Sequence, residues 1–328
     1  MNIASGKNIP KRYNFNKINK IIKSKIKYEE IKHLYVYDIC TEDGTFVGGI
    51  GQVIYKNSDA NLEKDAVYQL TQPFKDEKIG AVTGNTRGKV VNFLSNLIDM
   101  RYWGAFNQER ASQSFFQCVW CCCGVLSAYR ANIIRKVKDE YVNEYFLGVK
   151  NSFGDDRFAT FLVMREGYGV KYASKSKAIT SVPLTMKSWL KQQYRWNLSY
   201  YKYLTYNFGM MFREPRKMHP FAWYDLTIQT VLPFMLLASL FLMIFNTIFS
   251  GITFLFGYLA VLVGVGLIRG TYAFFRTGEK KFFLFPIYAI LHIFLLIPLR
   301  FYALVTLKYN KWGTRELDKN QKRQYSQI

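Results

Sequence analysis

The sequence has little acid to set against its base: 23 Asp and Glu stand beside 45 Lys and Arg, for a formal net charge of +22 over 328 residues. It is also short of what a disulfide-stapled or zinc-bound fold requires. Of five cysteines, four (Cys118, Cys121, Cys122 and Cys123) crowd into six residues and only Cys40 lies elsewhere. That is too close for a disulfide framework among themselves, and it points to a reducing compartment. Cys118 and Cys121 have the spacing of half a zinc site, yet no second pair and no nearby histidine completes four ligands. The cluster therefore reads as small buried residues of a strand at 119–126, interrupted at Gly124. An apolar run is missing from the first thirty residues as well. They are polar and basic, with Lys7, Lys11, Arg12, Lys17, Lys20, Lys23, Lys25 and Lys27, and show no signal peptide. Membrane insertion is left to the C-terminal third.

What is present points the same way. Half of the residues are hydrophobic and 17% are aromatic, a composition that seldom accompanies so much positive charge in a soluble protein. It fits a membrane protein with a basic cytoplasmic face. A nucleic-acid binder is equally basic but has no need of long apolar spans, so no nucleic acid is expected as a partner. The length allows one large domain or two smaller ones.

Residues 1–32 read as a basic lead-in, weakly ordered or helical. Strand and helix signals alternate from 33 to 184: strands at 33–39, 53–55 and 79–83, helices at 65–70 and from 93 past 106, and a flexible joint at Val47-Gly48-Gly49-Ile50-Gly51. Such alternation implies an α/β domain. Beyond Pro183, Trp189, Gln193, Trp196, Tyr200 and Tyr203 recur at helical steps. In region 185–219 this aromatic stripe suits either a helix at the membrane surface or one packed on the soluble domain. Residues 226–249 and 252–275 are each long and apolar enough to cross a bilayer, with a turn at Ser250-Gly251. Arg213, Arg216 and Lys217 precede the pair, and Arg276, Lys280 and Lys281 follow it, which places both outer ends in the cytoplasm. The apolar stretch 282–307 contains Pro286, Pro298 and Arg300 and has basic flanks on both sides. It reads as re-entrant or interfacial within a region 220–307, and a loop and basic tail occupy 308–328.

Four clusters carry chemistry. Asn57-Ser58-Asp59 ends an expected strand, where residues i and i+2 share a face. Oxygen ligands there suit a hard cation such as Mg²⁺ or Mn²⁺ bridging to a diphosphate, and the same residue types form ordinary turns. In Phe153-Gly154-Asp155-Asp156-Arg157, adjacent carboxylates beside an Arg tune one another toward a general base for a sugar hydroxyl, or simply cap a helix. In Gln192-Gln193-Tyr194-Arg195-Trp196, Gln192, Arg195 and Trp196 fall on one helix face. Guanidinium suits phosphate there, and indole suits the flat side of a sugar ring. Trp312-Gly313-Thr314-Arg315 is a glycine-hinged basic loop, able to swing over a nucleotide or to act as an interfacial anchor.

Together and in this order, the clusters resemble the processive family 2 glycosyltransferases. The run Arg101-Tyr102-Trp103-Gly104-Ala105-Phe106-Asn107-Gln108-Glu109-Arg110, with Phe146-Leu147-Gly148 and the motifs above, is similar to the hyaluronan synthase branch over roughly residues 53–317. The resemblance implies an α/β fold, a partial GT-A (Rossmann-like) domain at 33–184 followed by a helical transmembrane region. It further implies an inverting transferase that polymerises UDP-GlcNAc and UDP-GlcA at the plasma membrane, with the catalytic part cytoplasmic. By it, Asp59 binds Mg²⁺ or Mn²⁺ and diphosphate, and Asp156 with Asp155 supplies the base. Gln192, Arg195 and Trp196 line the acceptor site, and Trp312, Gly313, Thr314 and Arg315 gate it. The growing polysaccharide and the lipid bilayer are the further partners; a chitin-type polymer from UDP-GlcNAc alone is the alternative. Three departures stand out. Asn57 replaces the first Asp of the family's metal motif, and Cys123-Gly124-Val125 takes the place of a Ser-Gly-Pro acceptor loop. Asp43, in Thr41-Glu42-Asp43-Gly44-Thr45, lies too near Asp59 to be the uridine-holding Asp. The expectation is a fragment, a split subunit or a decayed homologue, poorly active alone and partnered by the missing N-terminal half or by a complete synthase.

Overall fold

A computed structural model describes residues 60–148, 153–215 and 218–308 in full, and the backbone of 21–25, 35–39, 45–48, 53–56 and 149–150. The chain opens with β1 (Ile21–Lys25) and β2 (Tyr35–Ile39), an antiparallel ribbon where a weakly ordered or helical lead-in was expected up to residue 32. β3 (Thr45–Gly48) and β4 (Val53–Lys56) pair antiparallel, and the short β5 (Ala60–Leu62) and helix α1 (Ala66–Thr71) follow. β6 (Ile79–Gly88) is buried at all but one of its ten positions, as a strand covered on both faces must be. α2 (Phe93–Gly104) starts at a capping box. Ser95 N donates to Asn92 Oδ1 at 2.9 Å and Asn92 N donates to Ser95 Oγ at 2.7 Å, so two end donors are satisfied reciprocally. The helix runs on through a wide turn at Ala105–Arg110 into α3 (Ala111–Phe115).

β7 (Ser127–Tyr129) and α4 (Ala131–Val142) come next, then a hairpin of β8 (Tyr145–Phe146) and β9 (Val149–Lys150). Leu147 and Gly148 at its tip have φ of 49° and 81°, the left-handed pair that a tight hairpin turn demands. α5 (Asp155–Arg165) and β10 (Gly169–Thr180) complete the domain. The sheet order is β3-β4-β7-β6-β10-β5, with β6 and β10 parallel and the other pairs antiparallel.

The segment 119–126 is not the strand expected; only Ser127–Tyr129 is. It meets strands only at its ends, where Gly84 N donates to the Leu126 carbonyl at 2.8 Å and Val119 N to the Val170 carbonyl at 3.5 Å; between them its backbone bonds to side chains. Cys122 N donates to Thr160 Oγ1 at 2.9 Å, and Arg110 Nε and Tyr129 Oη donate to the Cys121 and Cys122 carbonyls at 3.4 Å. These bonds meet, between the two ends, the demand that buried peptide groups be paired.

Four long helical stretches follow: α6 (Met186–Arg213), α7 (Pro220–Ser250), α8 (Thr253–Thr277) and Lys280–Val305. The last contains α9 (Phe285–Leu291), a wide turn at His292–Leu296 and α10 (Ile297–Val305). The final three stretches, of 31, 25 and 26 residues with mean hydropathy 2.2, 1.8 and 2.3, are long and apolar enough to cross a membrane. Phe241, Phe245, Phe249, Phe256 and Ile268 stand exposed along α7 and α8, surface of a kind that lipid covers and water does not. The stretch read as re-entrant or interfacial is helical from Lys280 to Val305. Pro286 and Pro298 did not break it because each lies in the first turn of a helical segment, where a proline's missing N–H costs nothing. The α/β domain followed by apolar helices is the class expected.

α6 joins the two parts, and its aromatic stripe is packed at both ends, at Trp189 and Tyr203. Trp189 is buried among Phe282, Phe285 and Tyr288 of the apolar region, while Tyr203 is buried with Phe158 and Phe161 of the α/β domain. Each such side chain contributes about 1.5–3 kcal/mol by leaving water. α8 approaches the last helix closely through Gly266 and Gly270. A Cβ on Gly266 would lie 2.6 Å from Pro286, and one on Gly270 would strike the Phe282 carbonyl. Small residues at such crossings let helix backbones meet.

Candidate active site

Asp155 and Asp156 occupy the first turn of α5, where two carboxylates face the positive end of the helix dipole. The turn is set by Gly154, whose φ of 85° lies in the left-handed region. A Cβ there would collide with Ser199 Oγ and lie 2.8 Å from the Tyr203 ring. Gly154 thus lets α5 start directly against α6. Gly154→Ala is expected to destabilise the fold by about 1–3 kcal/mol, read as a lower unfolding temperature, with greater loss of activity than Gly167→Ala, where a Cβ meets nothing.

The Asp156 carboxylate is held from two sides. Arg157 N donates to Oδ1 at 2.8 Å, and the Cys121 thiol donates to Oδ2 at 3.7 Å. Below it, Thr160 Oγ1 donates to the Asp156 carbonyl at 2.7 Å and accepts from Cys122 N, tying the 118–126 loop to α5. Arg110 closes the other side of that loop. Its guanidinium lies 4.3 Å over the Phe106 ring and donates to Cys123 Sγ at 2.9 Å. Behind the first turn of α5, Phe153 is buried under the Lys202 ammonium, 4.0 Å from its ring; burial pulls the Lys202 pKa down to about 8. Tyr203 Oη donates to both Glu144 oxygens at 2.7 and 2.9 Å.

Gln192, Arg195 and Trp196 lie together on α6, one turn before Ser199. Gln192 Oε1 is buried with no hydrogen-bond partner among the described residues. Trp196 is 39% exposed and its indole sits 6.1 Å from the Tyr102 ring, which in turn neighbours Phe106 at 6.5 Å. A continuous wall thus runs from Trp196 through Tyr102, Phe106, Arg110 and the cysteine loop to Asp156. One turn beyond Trp196, Tyr200 lies 4.4 Å from the Arg300 guanidinium and 5.7 Å from that of Arg157. Arg300 Nη2 donates to the Gln229 carbonyl at 3.0 Å, so a charge from the last helix reaches α6 at the edge of this wall.

Asp59 and the loop Trp312, Gly313, Thr314 and Arg315 lie outside the described residues. Among the described residues no group of three or more His, Cys, Asp or Glu could hold a metal ion, so the proposed metal donors are not to be found there. Sequence reasoning missed Tyr102 as the partner of Trp196 and Cys121 as a donor to Asp156. It also missed Asp225, near the start of α7. Asp225 Oδ2 accepts from Gln113 Nε2 at 2.9 Å, Trp120 Nε1 at 2.8 Å and Gln229 Nε2 at 2.6 Å. A lone Asp at the edge of an apolar span was the signal available. Asp225→Leu is expected to cost about 1–3 kcal/mol for each buried donor left unpaired. In a double-mutant cycle, Trp120→Phe should recover part of that loss by removing one of those donors.

The model of the family "Glycosyl transferase family group 2" matches residues 53–304, and the chain belongs to that family. Within it, the chain is hyaluronan synthase-like. It is 33% identical over 261 residues to human hyaluronan synthase 3, covering 79% of this chain and 46% of that protein. The same identity and shares hold for chicken hyaluronan synthase 2. The chain spans about half the length of these relatives. Among solved structures, a mannosyltransferase from Pyrobaculum calidifontis, PcManGT in complex with GDP-Man and Mn²⁺, superposes with a TM-score of 0.43 at 15% identity, covering 74% of this chain and 61% of that one.

Proposed function

We propose that the chain is the acceptor-side and membrane portion of an inverting glycosyltransferase that polymerises UDP-GlcNAc and UDP-GlcA into hyaluronan and helps to translocate it. The observation that carries this reading is the wall joining Asp156 to Trp196 directly beside three apolar helices. In it, Asp156 removes the proton from an acceptor hydroxyl, and the oxygen attacks the anomeric carbon from the side opposite UDP, inverting it. Trp196 and Tyr102 offer flat faces to a sugar ring. Arg195 answers phosphate charge, and the Gln192 amide oxygen, unpartnered among the described residues, accepts from a sugar hydroxyl. Asp155 supports the local charge of the first turn. Asp59 with the amide oxygen of Asn57 forms a hard-oxygen donor pair suited to Mg²⁺ or Mn²⁺, which when bound offsets charge on the leaving diphosphate. Trp312 to Arg315 close over the bound UDP-sugar.

Arg300 and Arg269, set within apolar helices with their guanidinium groups over Tyr200 and Phe285, favour an anionic polymer over a neutral one. On this reading the chain is a multi-pass plasma-membrane unit with its catalytic part cytoplasmic, an orientation supported by the basic flanks of the apolar helices.

The test is incorporation of labelled sugar by the chain in lipid, alone and together with a complete synthase. Hyaluronidase-sensitive polymer that requires both UDP-GlcNAc and UDP-GlcA is expected, and expected only with the partner present. Chitinase-sensitive polymer from UDP-GlcNAc alone would establish the chitin-type reading instead. No incorporation under any combination would make the chain a non-catalytic homologue.

A further inference from the structure

The cysteine loop is more than packing. Cys121 and Cys123 stand two positions apart around one guanidinium, that of Arg110. Arg110 donates to Cys123 Sγ at 2.9 Å and is itself fixed by the Ala105 and Cys121 carbonyls at 3.3 and 3.4 Å. Cys123 is half-buried, whereas Cys118 and Cys122 are buried. A cation held by these sulfurs would have to displace the Arg110 guanidinium, so a metal does not suit the pair. A thiolate beside a fixed guanidinium is, in contrast, the arrangement that makes a cysteine nucleophilic.

We propose that Cys123 and Cys121 are a peroxide-oxidisable dithiol, with Cys123 the attacking sulfur and Cys121 the resolving one. The Cys123 thiolate attacks one oxygen of a hydroperoxide. The O–O bond breaks, two electrons pass from sulfur to oxygen, and the leaving hydroxide or alkoxide takes a proton. Cys123 becomes a sulfenic acid. The Cys121 sulfur then attacks Cys123 Sγ; the S–S bond forms, the S–O bond breaks, and the departing hydroxide leaves as water with the Cys121 proton. Two thiols and one hydrogen peroxide give one disulfide and two waters.

The electrostatics agree with the geometry. The neighbouring Cys121 thiol and the charge of Arg110 bring Cys123 down to about 7, while burial and Asp156 oppose and Arg157 assists from α5. The neighbouring Cys123 sulfur and burial push Cys121 up. Burial pushes Cys118 up to about 12 and raises Cys122 as well. One consequence rests on Asp156 being the base: a Cys121 sulfur in a disulfide no longer donates to Asp156, so oxidation lowers sugar transfer.

The experiment treats the full chain in lipid, with its partner, with one equivalent of hydrogen peroxide with or without dimedone, followed by peptide mass spectrometry. A Cys121–Cys123 disulfide is expected in the unsubstituted chain. Cys121→Ser should instead trap dimedone on Cys123, and Cys123→Ser should show neither product. Alkylation of Cys123 should outpace that of Cys118 and Cys122 by at least ~10-fold near neutral pH. Oxidation spread evenly over the buried cysteines, or seen only after unfolding, would overturn the dithiol. A disulfide that forms and leaves transfer unchanged would overturn the link to Asp156 alone.

Discussion

Asp156→Asn is expected to lower sugar transfer by about 10²–10⁴-fold, the usual contribution of a positioned general base, while nucleotide-sugar binding persists. The substitution is nearly isosteric and keeps an acceptor for Arg157 N at the Oδ1 position, so the first turn of α5 has no reason to unfold. What it removes is the proton acceptor. The measurement is the initial rate of labelled-sugar incorporation by the partnered enzyme, set against donor affinity by calorimetry. Asp155→Asn provides the contrast. It keeps the neighbouring base and changes only local charge, so its loss should be well below that of Asp156→Asn. A host complex carrying Asp156→Asn that synthesises at the unsubstituted rate would remove this chain from the chemistry.

The parts of this site that could be read from the sequence share one property: their meaning is local. Gln192, Arg195 and Trp196 fall on one face because helix periodicity says so, and α6 confirms a single helix across them. Asp155 and Asp156 follow a glycine, and they do begin a helix. The apolar spans declared themselves by length alone. What could not be read was set by distant partners. The residues at 119–126 have the composition of a strand, but Thr160, Arg110 and Tyr129 capture their backbone, and nothing near them in sequence announces that. Tyr102 meets Trp196 across 94 positions, the difference between the two residue numbers. The stripe on α6 fitted a membrane surface and a packed core equally well, because hydrophobic periodicity marks a buried face without naming what buries it. The last apolar stretch stays helical through both prolines because a proline's cost depends on its place within the turn, which only the structure sets.

Asp99→Ala should be the most destabilising single change among these contacts, by about 3–5 kcal/mol, the cost of breaking a buried ion pair from one side. Asp99 is 2% exposed and sits on α2 between the α/β domain and the apolar region. It accepts from Arg87 Nε at 2.8 Å and Nη2 at 2.7 Å, from Gly88 N at 2.9 Å, and from Lys281 Nζ at 2.6 Å. Removing it strands two cations and a peptide N–H at the joint, with Glu279 alone to answer Arg87 and Lys281. Asn is no remedy, since it halves the acceptors and removes the charge. A replacement of all four of Arg87, Asp99, Glu279 and Lys281 by apolar residues should recover most of the loss, because no uncompensated charge then remains at the joint. The pH dependence has a fixed sign. Burial pushes the Asp99 carboxyl up, but Arg87 and Lys281 outweigh it and hold its pKa below the ordinary 3.8. A carboxylate depressed on folding contributes its full stability above its unfolded-state value and loses it as pH falls through the folded one. The gap in unfolding temperature between the unsubstituted chain and Asp99→Ala should therefore be constant near neutrality and close progressively only below about pH 4. A gap that is already narrowing between pH 7 and 5 would show that another group holds the domain to its helices.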